Sequence, residues 1–296
     1  MMLKTLMEVI DVLESKDPVD KVRERLKGKV DGYEEKQLGE VTYVKCLYRG
    51  RGKERVEVLG RLGAIQVRQE KGLVSDADGA IVSLAILFEL LNLREKGIEL
   101  DVDVSFVTNI SLDAKLIRHR PFNFMVPLIG LDEALREEVD GEANLILSID
   151  STKGNRIAKY DDFAITHVIK DGYILKVNDE LVDIYNRVTG HEVYFVPLTT
   201  GDLTPMEYNV YHISTLVSPW LYSSSPLIGI ATVSKQVVPG YVTGVQDVEM
   251  LEHASRFCLE VLKYVEKGGR VYEESELKEL REKLGESSLM RLKRNF

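Results

Sequence analysis

The segment GLVSDADGAIVSLAILFELL, residues 72–91, constrains the chain more than any other. Two carboxylates and a glycine stand directly before a long apolar run. In that run Ala80, Leu84, Leu87, Phe88 and Leu91 recur at helical spacing. A helix of this kind buries its stripe under neighbouring elements, and Gly97 is placed to end it. Asp76, Asp78 and Glu89 interrupt the weakly charged stretch 74–93, which therefore falls short of a membrane span. Two roles are open to Asp76 and Asp78: they hold an ion at the mouth of a site, or they only begin the helix.

The rest of the chain says what covers such a helix. Strand-like runs occur at VTYVKCLY, RVEVLGRL, DVDVSFVTNI, NLILSID, FAITHVI, YILKV, EVYFVPLT and PLIGIATV, and helix-like segments separate several of them. This alternation predicts helices laid over a largely parallel sheet. Lys170, Asp171 and Gly172 lie between two of the strand-like runs, and an Asp-Gly pair there predicts a hairpin, so the sheet is mixed. MMLKTLMEVIDVLESKD reads as an amphipathic N-terminal helix. A long helix is predicted over 245–266, stopping at Gly268 and Gly269. The highly charged tail 273–296 reads as a helix that either caps the domain or packs on a partner subunit, and it motivates the expectation of a homo-oligomer. With no internal repeat and no linker-like tract, residues 1–296 are read as one domain.

Composition removes several functional classes. With 44% hydrophobic and 29% charged residues the chain is an ordinary globular sequence. Its net charge of -9 lacks the basic footprint of a nucleic-acid binder, and the basic islands LIRHRP and MRLKRNF are short. Cys46 and Cys258 have no metal or redox spacing, which fits a reducing cytoplasm. Glu8, Asp11 and Glu14 inside the N-terminal apolar pattern are foreign to a signal-peptide core. A cytoplasmic location is expected, with neither nucleic acid nor membrane as partner.

In open α/β sheets ligands gather beyond the carboxyl ends of the strands, so polar residues at strand exits are the candidates. They are Arg61 after VEVLG, Ser75 to Gly79, Thr108 to Asp113 including Asn109, Asp150 to Arg156, and Thr199 to Thr204. In SIDSTKGNR, Asp150 can ligate a metal or accept a substrate ammonium, or it can simply close its own turn. Thr152, Lys153, Asn155 and Arg156 follow it, and the two cations suit an anion. In TTGDLTPMEYNVYH, Thr204, Pro205 and Glu207 spell a capping box. Thr199, Thr200 and Asp202 lie beside that helix start, where an anion or a plain cap is accommodated. His119, His167, His191, His212 and His253 include no pair at the spacing of one helix face, so no zinc motif is read. His167, in the hairpin region, faces either the core or the site. A Gly-rich phosphate loop, a G-x-S-x-G elbow and a plausible cysteine nucleophile are all missing from the sequence.

GRLGAIQVRQEKGLVSDADGAIVSLA, LSIDSTKGNRI, VIKDGYIL and TTGDLTP together resemble a prokaryotic family, the domain of unknown function numbered 1177. That family more distantly resembles the co-catalytic zinc aminopeptidases. The resemblance implies an α/β three-layer sandwich with a mixed, mostly parallel central sheet, zinc-aminopeptidase-like. Those enzymes use a strand ending in His-x-Asp, an Asp-(Asp or Asn)-x-x-Gly helix start, a Glu-Glu pair, a later Asp and a C-terminal His. Here the corresponding segments offer Arg61 and Gly63, Ser75 or Asp76, Asn109 and Asp113, Asp150, and Thr243, and only Asp150 matches cleanly. With both imidazoles replaced, the resemblance implies a degenerate metal site without zinc.

Three functional readings follow. The first is a peptidase-like scaffold that binds a small amino-acid-like or peptide-like carboxylate, with Arg61 as its clamp. The second is a hydrolase or lyase working through Asp76, Asp113, Asp150 and Lys153, in which Asp76 and Asp150 take a hard cation, magnesium or manganese. The third is a structural or assembly protein. In the first two, Arg61, Asp76, Asp113, Asp150, Lys153 and Thr243 are expected to converge on one pocket, lined also by Asp78.

Overall fold

The structure, a computed structural model, describes residues 1–61, 73–112, 115–117, 124–126, 128–153, 158–205, 215–234 and 246–293. Helices α1 (Met2–Leu13) and α2 (Pro18–Leu26) lead into strands β1 (Gly32–Leu38), β2 (Val41–Tyr48) and β3 (Arg55–Gly60). Helix α3 (Asp78–Arg94), β4 (Asp103–Ser111), the short pair β5 (Lys115–Ile117) and β6 (Phe124–Val126), helix α4 (Leu131–Glu138) and β7 (Leu145–Lys153) follow. Then come β8 (Ala164–Ile165), β9 (Val168–Lys170), β10 (Tyr173–Leu175), α5 (Asp179–Thr189), β11 (Leu227–Ser234), α6 (Val248–Glu266), α7 (Glu274–Leu284) and α8 (Ser288–Lys293).

The main sheet runs β1-β2-β4-β3-β7-β11-β9-β10, with β8 also pairing β11. Its centre, β4-β3-β7-β11, is parallel, and the flanks are antiparallel. The sheet is therefore mixed and mostly parallel at its core, as the alternation of segments predicts. Asp171 and Gly172 turn β9 into β10 with both φ angles positive, the conformation an Asp-Gly hairpin selects.

Each central strand is buried on both faces, and its alternate residues enter different layers. Leu145, Leu147 and Ile149 of β7 pack in one cluster with α1, α3, α5 and α6. Ile146 of the same strand joins Leu227, Ala231 and Val233 of β11 in the opposite cluster, with Leu203, Leu216, Val217 and Trp220. The result is three layers.

Helix α3 is buried from Asp78 through Leu91, not along a single stripe. Ile81, Val82, Ile86 and Leu90 are buried alongside the expected residues, because the sheet covers one side and α1 and α6 cover the other. Its charged interruption, Glu89, accepts a hydrogen bond from the Thr5 hydroxyl of α1 at 2.5 Å. The helix stops at Arg94, and the turn after it closes at Gly97, φ +77°, where the Gly97 and Ile98 amides close back onto Arg94 and Leu93 carbonyls. No helix among the described residues is long and apolar enough to cross a membrane.

The structure departs from the sequence reading, or sharpens it, at three places. EVYFVPLT forms no strand; Phe195 makes a single bridge to Ile165 before Pro197 removes the next donor. The polar edge strand β1, foreseen nowhere, pairs along its whole length with β2, because an edge strand needs little apolar alternation. The charged tail is two helices broken at Gly285, φ +77°, and it docks on its own chain. Arg281 pairs with Asp171, the Ser287 hydroxyl donates to Gly172 O at 3.1 Å, and the Lys293 ammonium donates to Trp220 O at 2.8 Å and to Ser223 O. Cys46 and Cys258 are separate buried thiols.

The position of α3 depends on two glycines. A Cβ on Gly60 would stand 2.3 Å from Gly79 O, and one on Gly79 would stand 2.7 Å from Arg61 O and 2.8 Å from Ile149 O. The helix start thus rests directly on the backbones of β3 and β7, which only glycine permits. Gly79→Ala is expected to lower stability by about 1–3 kcal/mol in urea unfolding. Gly141→Ala, where an added Cβ meets nothing within 4 Å, is expected to change it by less than about 0.5 kcal/mol.

Candidate functional site at the carboxyl edge of the sheet

The parallel strands β3, β4, β7 and β11 end at one edge. Helix α3 carries the chain from β3 to β4 over one face. Helix α4 carries it back to β7 over the other, where its Glu137 reaches Lys45 and its Glu138 reaches Arg61. The connections diverge between β3 and β7, which makes that gap the crevice in which open α/β sheets bind ligands. Arg61 follows β3, its amide donating to Ile149 O at 2.9 Å, and Asp150 stands next on β7.

On the α4 face, Arg61 has no exposed surface. Its Nε donates to Glu138 Oε2 at 3.0 Å and its Nη1 to Thr215 O at 2.5 Å. The Thr215 hydroxyl in turn donates to Asp150 Oδ2 at 3.0 Å. Burial pushes the Asp150 carboxyl up to about 6 against the pull of the Arg61 guanidinium, and the Glu138 charge adds to the rise. Deeper on the same face, Glu57 accepts the Asp140 amide at 2.7 Å, and burial holds its carboxyl well above the usual carboxylate range. Among the described residues Arg61 Nη2, Asp150 Oδ1 and Glu57 Oε2 are buried without a hydrogen-bond partner.

On the α3 face, Asp76 lies in the tight turn Ser75–Ala77 and accepts the Ser151 hydroxyl at 3.3 Å. Asp78 is the first residue of α3, yet no side chain caps that helix. Burial raises the Asp78 carboxyl well above its ordinary range, and the charges of Asp76, Asp247 and Asp150 push the same way. The nearby Thr232 hydroxyl is the chief influence against this rise.

Arg61, Asp76, Asp78 and Asp150 thus reach one edge, split between two faces by the strand pleat that separates Asp150 from Ser151. Asn109 is buried on the Arg61 face, opposite Tyr43 in the β2–β4 register. For Thr152 and Lys153 the strand backbone is described, paired with Val233 and Ser234. Asp113, Asn155, Arg156 and Thr243 lie outside the described residues, as do His119, Glu207 and His212. Arg61, the expected clamp, is engaged by Glu138 and the Thr215 carbonyl through Nε and Nη1. Of the two roles open at Thr199 and Asp202 the contacts are those of a plain cap: Asp202 accepts both the Thr199 amide at 2.7 Å and its hydroxyl at 2.8 Å. Thr200 is exposed, and the Thr204 hydroxyl bonds back to Thr200 O at 2.9 Å. His167 stacks on Phe195 at 4.5 Å and accepts the Val177 amide at 3.4 Å, a half-buried packing role.

For a hard cation the described donors are a poor fit. No group of three or more His, Cys, Asp or Glu among the described residues is placed to hold a metal ion, and Asp76 and Asp150 serve opposite faces. Glu138, Thr215 and Glu57 escaped the sequence reading. LDEALREE around Glu138 has the look of a solvated helix, and only the crossing of α4 over β3 brings that carboxylate to Arg61.

A family model described as protein of unknown function (DUF1177) matches residues 32–294. The chain belongs to the DUF1177 family. No curated protein matches it by sequence. Among solved structures, the DUF1177 chain superposes on Macrostomum lignano glutaminyl cyclase with TM-score 0.50 at 10% identity, covering 90% of this chain and 89% of that one. The bottromycin maturation enzyme BotP, solved in complex with Mn, gives TM-score 0.50 at 12% identity over 89% of this chain and 70% of the enzyme. A TET aminopeptidase from the marine sediment archaeon Thaumarchaeota archaeon SCGC AB-539-E09 gives 0.48 at 11% identity over 90% and 99%. At these identities the likeness concerns the fold.

Asp150 supplies a stability test. Its carboxyl rises from 3.8 to about 6 on folding, so the folded state binds the proton more tightly and stability falls as pH climbs through that window. Asp150→Asn is expected to be more stable than the parent above pH 7 by about 2–3 kcal/mol, with the difference closing near pH 4, in urea unfolding at several pH values.

Proposed function

We propose that this DUF1177 protein binds a small polar, amino-acid-like or peptide-like molecule in the crevice between β3 and β7. The observation that carries this reading is the orphan pair: a guanidinium nitrogen of Arg61 and a carboxylate oxygen of Asp150, buried on neighbouring strands at the switch point. A buried polar atom left unpaired costs about 1–3 kcal/mol, more when charged, and a ligand that supplies the missing partner recovers that cost. Arg61 is charge-balanced by Glu138, so an ionised Asp150 leaves the crevice net negative. The complementary group is then an amine or amide donor on Asp150, with a carbonyl oxygen accepting from Arg61. This refines the carboxylate expected from the sequence into a molecule recognised through its nitrogen.

One observation favours a hydrolytic reading beside it. Burial pushes the Asp150 carboxyl up to about 6 and raises the Asp78 carboxyl as well, and raised carboxyls at a strand edge are a feature that enzymes exploit. The pleat sets the two on opposite faces, so binding is the better-supported role.

The test is a thermal-shift and calorimetric panel of amino acids, amino-acid amides, dipeptides, simple amines and simple carboxylates at pH 5 and pH 8, with and without magnesium or manganese. An amine-bearing member is expected to bind, more weakly at pH 5 than at pH 8, and Asp150→Asn is expected to weaken it about tenfold or more. If no member shifts the transition, or if the binder ignores both pH and Asp150→Asn, the reading is wrong.

A further inference from the structure

The five histidines share no helix spacing, yet the fold brings two of them onto one carboxylate. Asp162, just before β8, is nearly buried, and its Oδ1 accepts the Phe163 amide at 2.7 Å. Its Oδ2 faces His253 Nδ1 at 2.6 Å and His191 Nε2 at 3.3 Å. Three segments meet there: the approach to β8, the loop after α5 and the second turn of α6. We propose that Asp162, His191 and His253 form a proton-operated latch that holds the first turns of α6 against the carboxyl edge of the sheet.

The chemistry of the rings makes the latch sensitive to protons. His191 Nδ1 faces Glu192 O at 2.8 Å while its Nε2 faces the carboxylate. A carbonyl and a carboxylate only accept, so His191 satisfies both only with a proton on each nitrogen. A neutral His191 drops one of the two bonds. A neutral His253 still donates from Nδ1, but without its charge. The nearly buried carboxylate of Asp162 then loses the positive charges that compensate it, a costly state for a desolvated ion.

The groups facing the latch are known from each element. Asp162 supports the charged form of His253 most strongly, Glu252 and Glu249 of α6 add to that support, and burial opposes it, which leaves His253 titrating above its ordinary value. Tyr185 of α5 meets the His191 ring edge-on, and Tyr194 packs against it at 4.7 Å. Because the folded state raises the His253 value, the latch is fully closed below about pH 6.5 and weakens as pH rises through that raised value.

What it holds borders the site. Asp247 caps α6 by accepting the Met250 amide at 3.1 Å, and its charge reaches Asp78. Gln246 donates to Leu73 O and Val74 O, both at 3.3 Å, just before Asp76. Weakening the latch loosens these contacts from the helix start that lines the edge. The effect on ligand affinity rests on the binding role proposed above; the latch itself is read without ligand.

The experiment is a histidine NMR titration of the unliganded protein with hydrogen exchange over residues 246–256 at pH 5.5, 7 and 8.5, corrected for intrinsic exchange. His253 is expected to titrate above 6.5, and exchange over that segment to quicken about tenfold across its transition while α3 is unchanged. Asp162→Asn, or His253→Gln should the first variant not fold, is expected to abolish the pH dependence. A His253 that titrates at its ordinary value in the parent protein, or protection that stays constant across the transition, overturns the proposal. Neither result touches the ligand panel, so the two readings fail separately.

Discussion

The contact between Gly60 and Gly79 fixes the architecture, because it lets an almost wholly apolar helix rest on the backbones of β3 and β7. A helix buried on every side cannot sit at a surface. Helix α3 therefore needs the sheet beneath it and α1 and α6 above it, and those helices are amphipathic because they have a solvent side to present. The same close approach places the Ser75–Ala77 turn and Asp78 over the strand exits. Packing and site geometry share one cause.

The opposite face answers a different demand. Crossing α4 over β3 buries Arg61, Glu138, Asp150 and Glu57 together, and desolvation is the largest influence on both titrating carboxyls. Burying an ion pair this deeply is a poor way to gain stability, since a well-packed apolar replacement commonly does as well.

Neighbouring residues of a strand serve different layers, so Asp150 and Ser151 belong to different chemistry although they adjoin in sequence. Helix α6 spans these regions differently: its cap and Gln246 touch the α3 start, while His253, nearly two turns later, touches Asp162. A change in the charge at Asp162 is therefore transmitted along a rigid helix rather than through a loop.

Local signals determined a good deal by themselves. The run after Asp78, the Asp171-Gly172 turn, the stops at Gly97 and Gly268, and seven of the eight strand-like runs lie where their period and turn chemistry put them, because those causes act within a few residues. The strand exit at Arg61 was legible for the same reason, whereas Asp150, read as a strand end, lies inside β7, which runs on to Lys153. Only the tertiary structure decided that Glu138 would occupy Arg61, that Thr199 and Asp202 would satisfy each other, that Phe195 would leave the sheet after one bridge, and that His191 and His253 would share Asp162. Each of these depends on which elements cross, and charge, burial and pairing act through space over a few ångströms, whatever the separation along the chain.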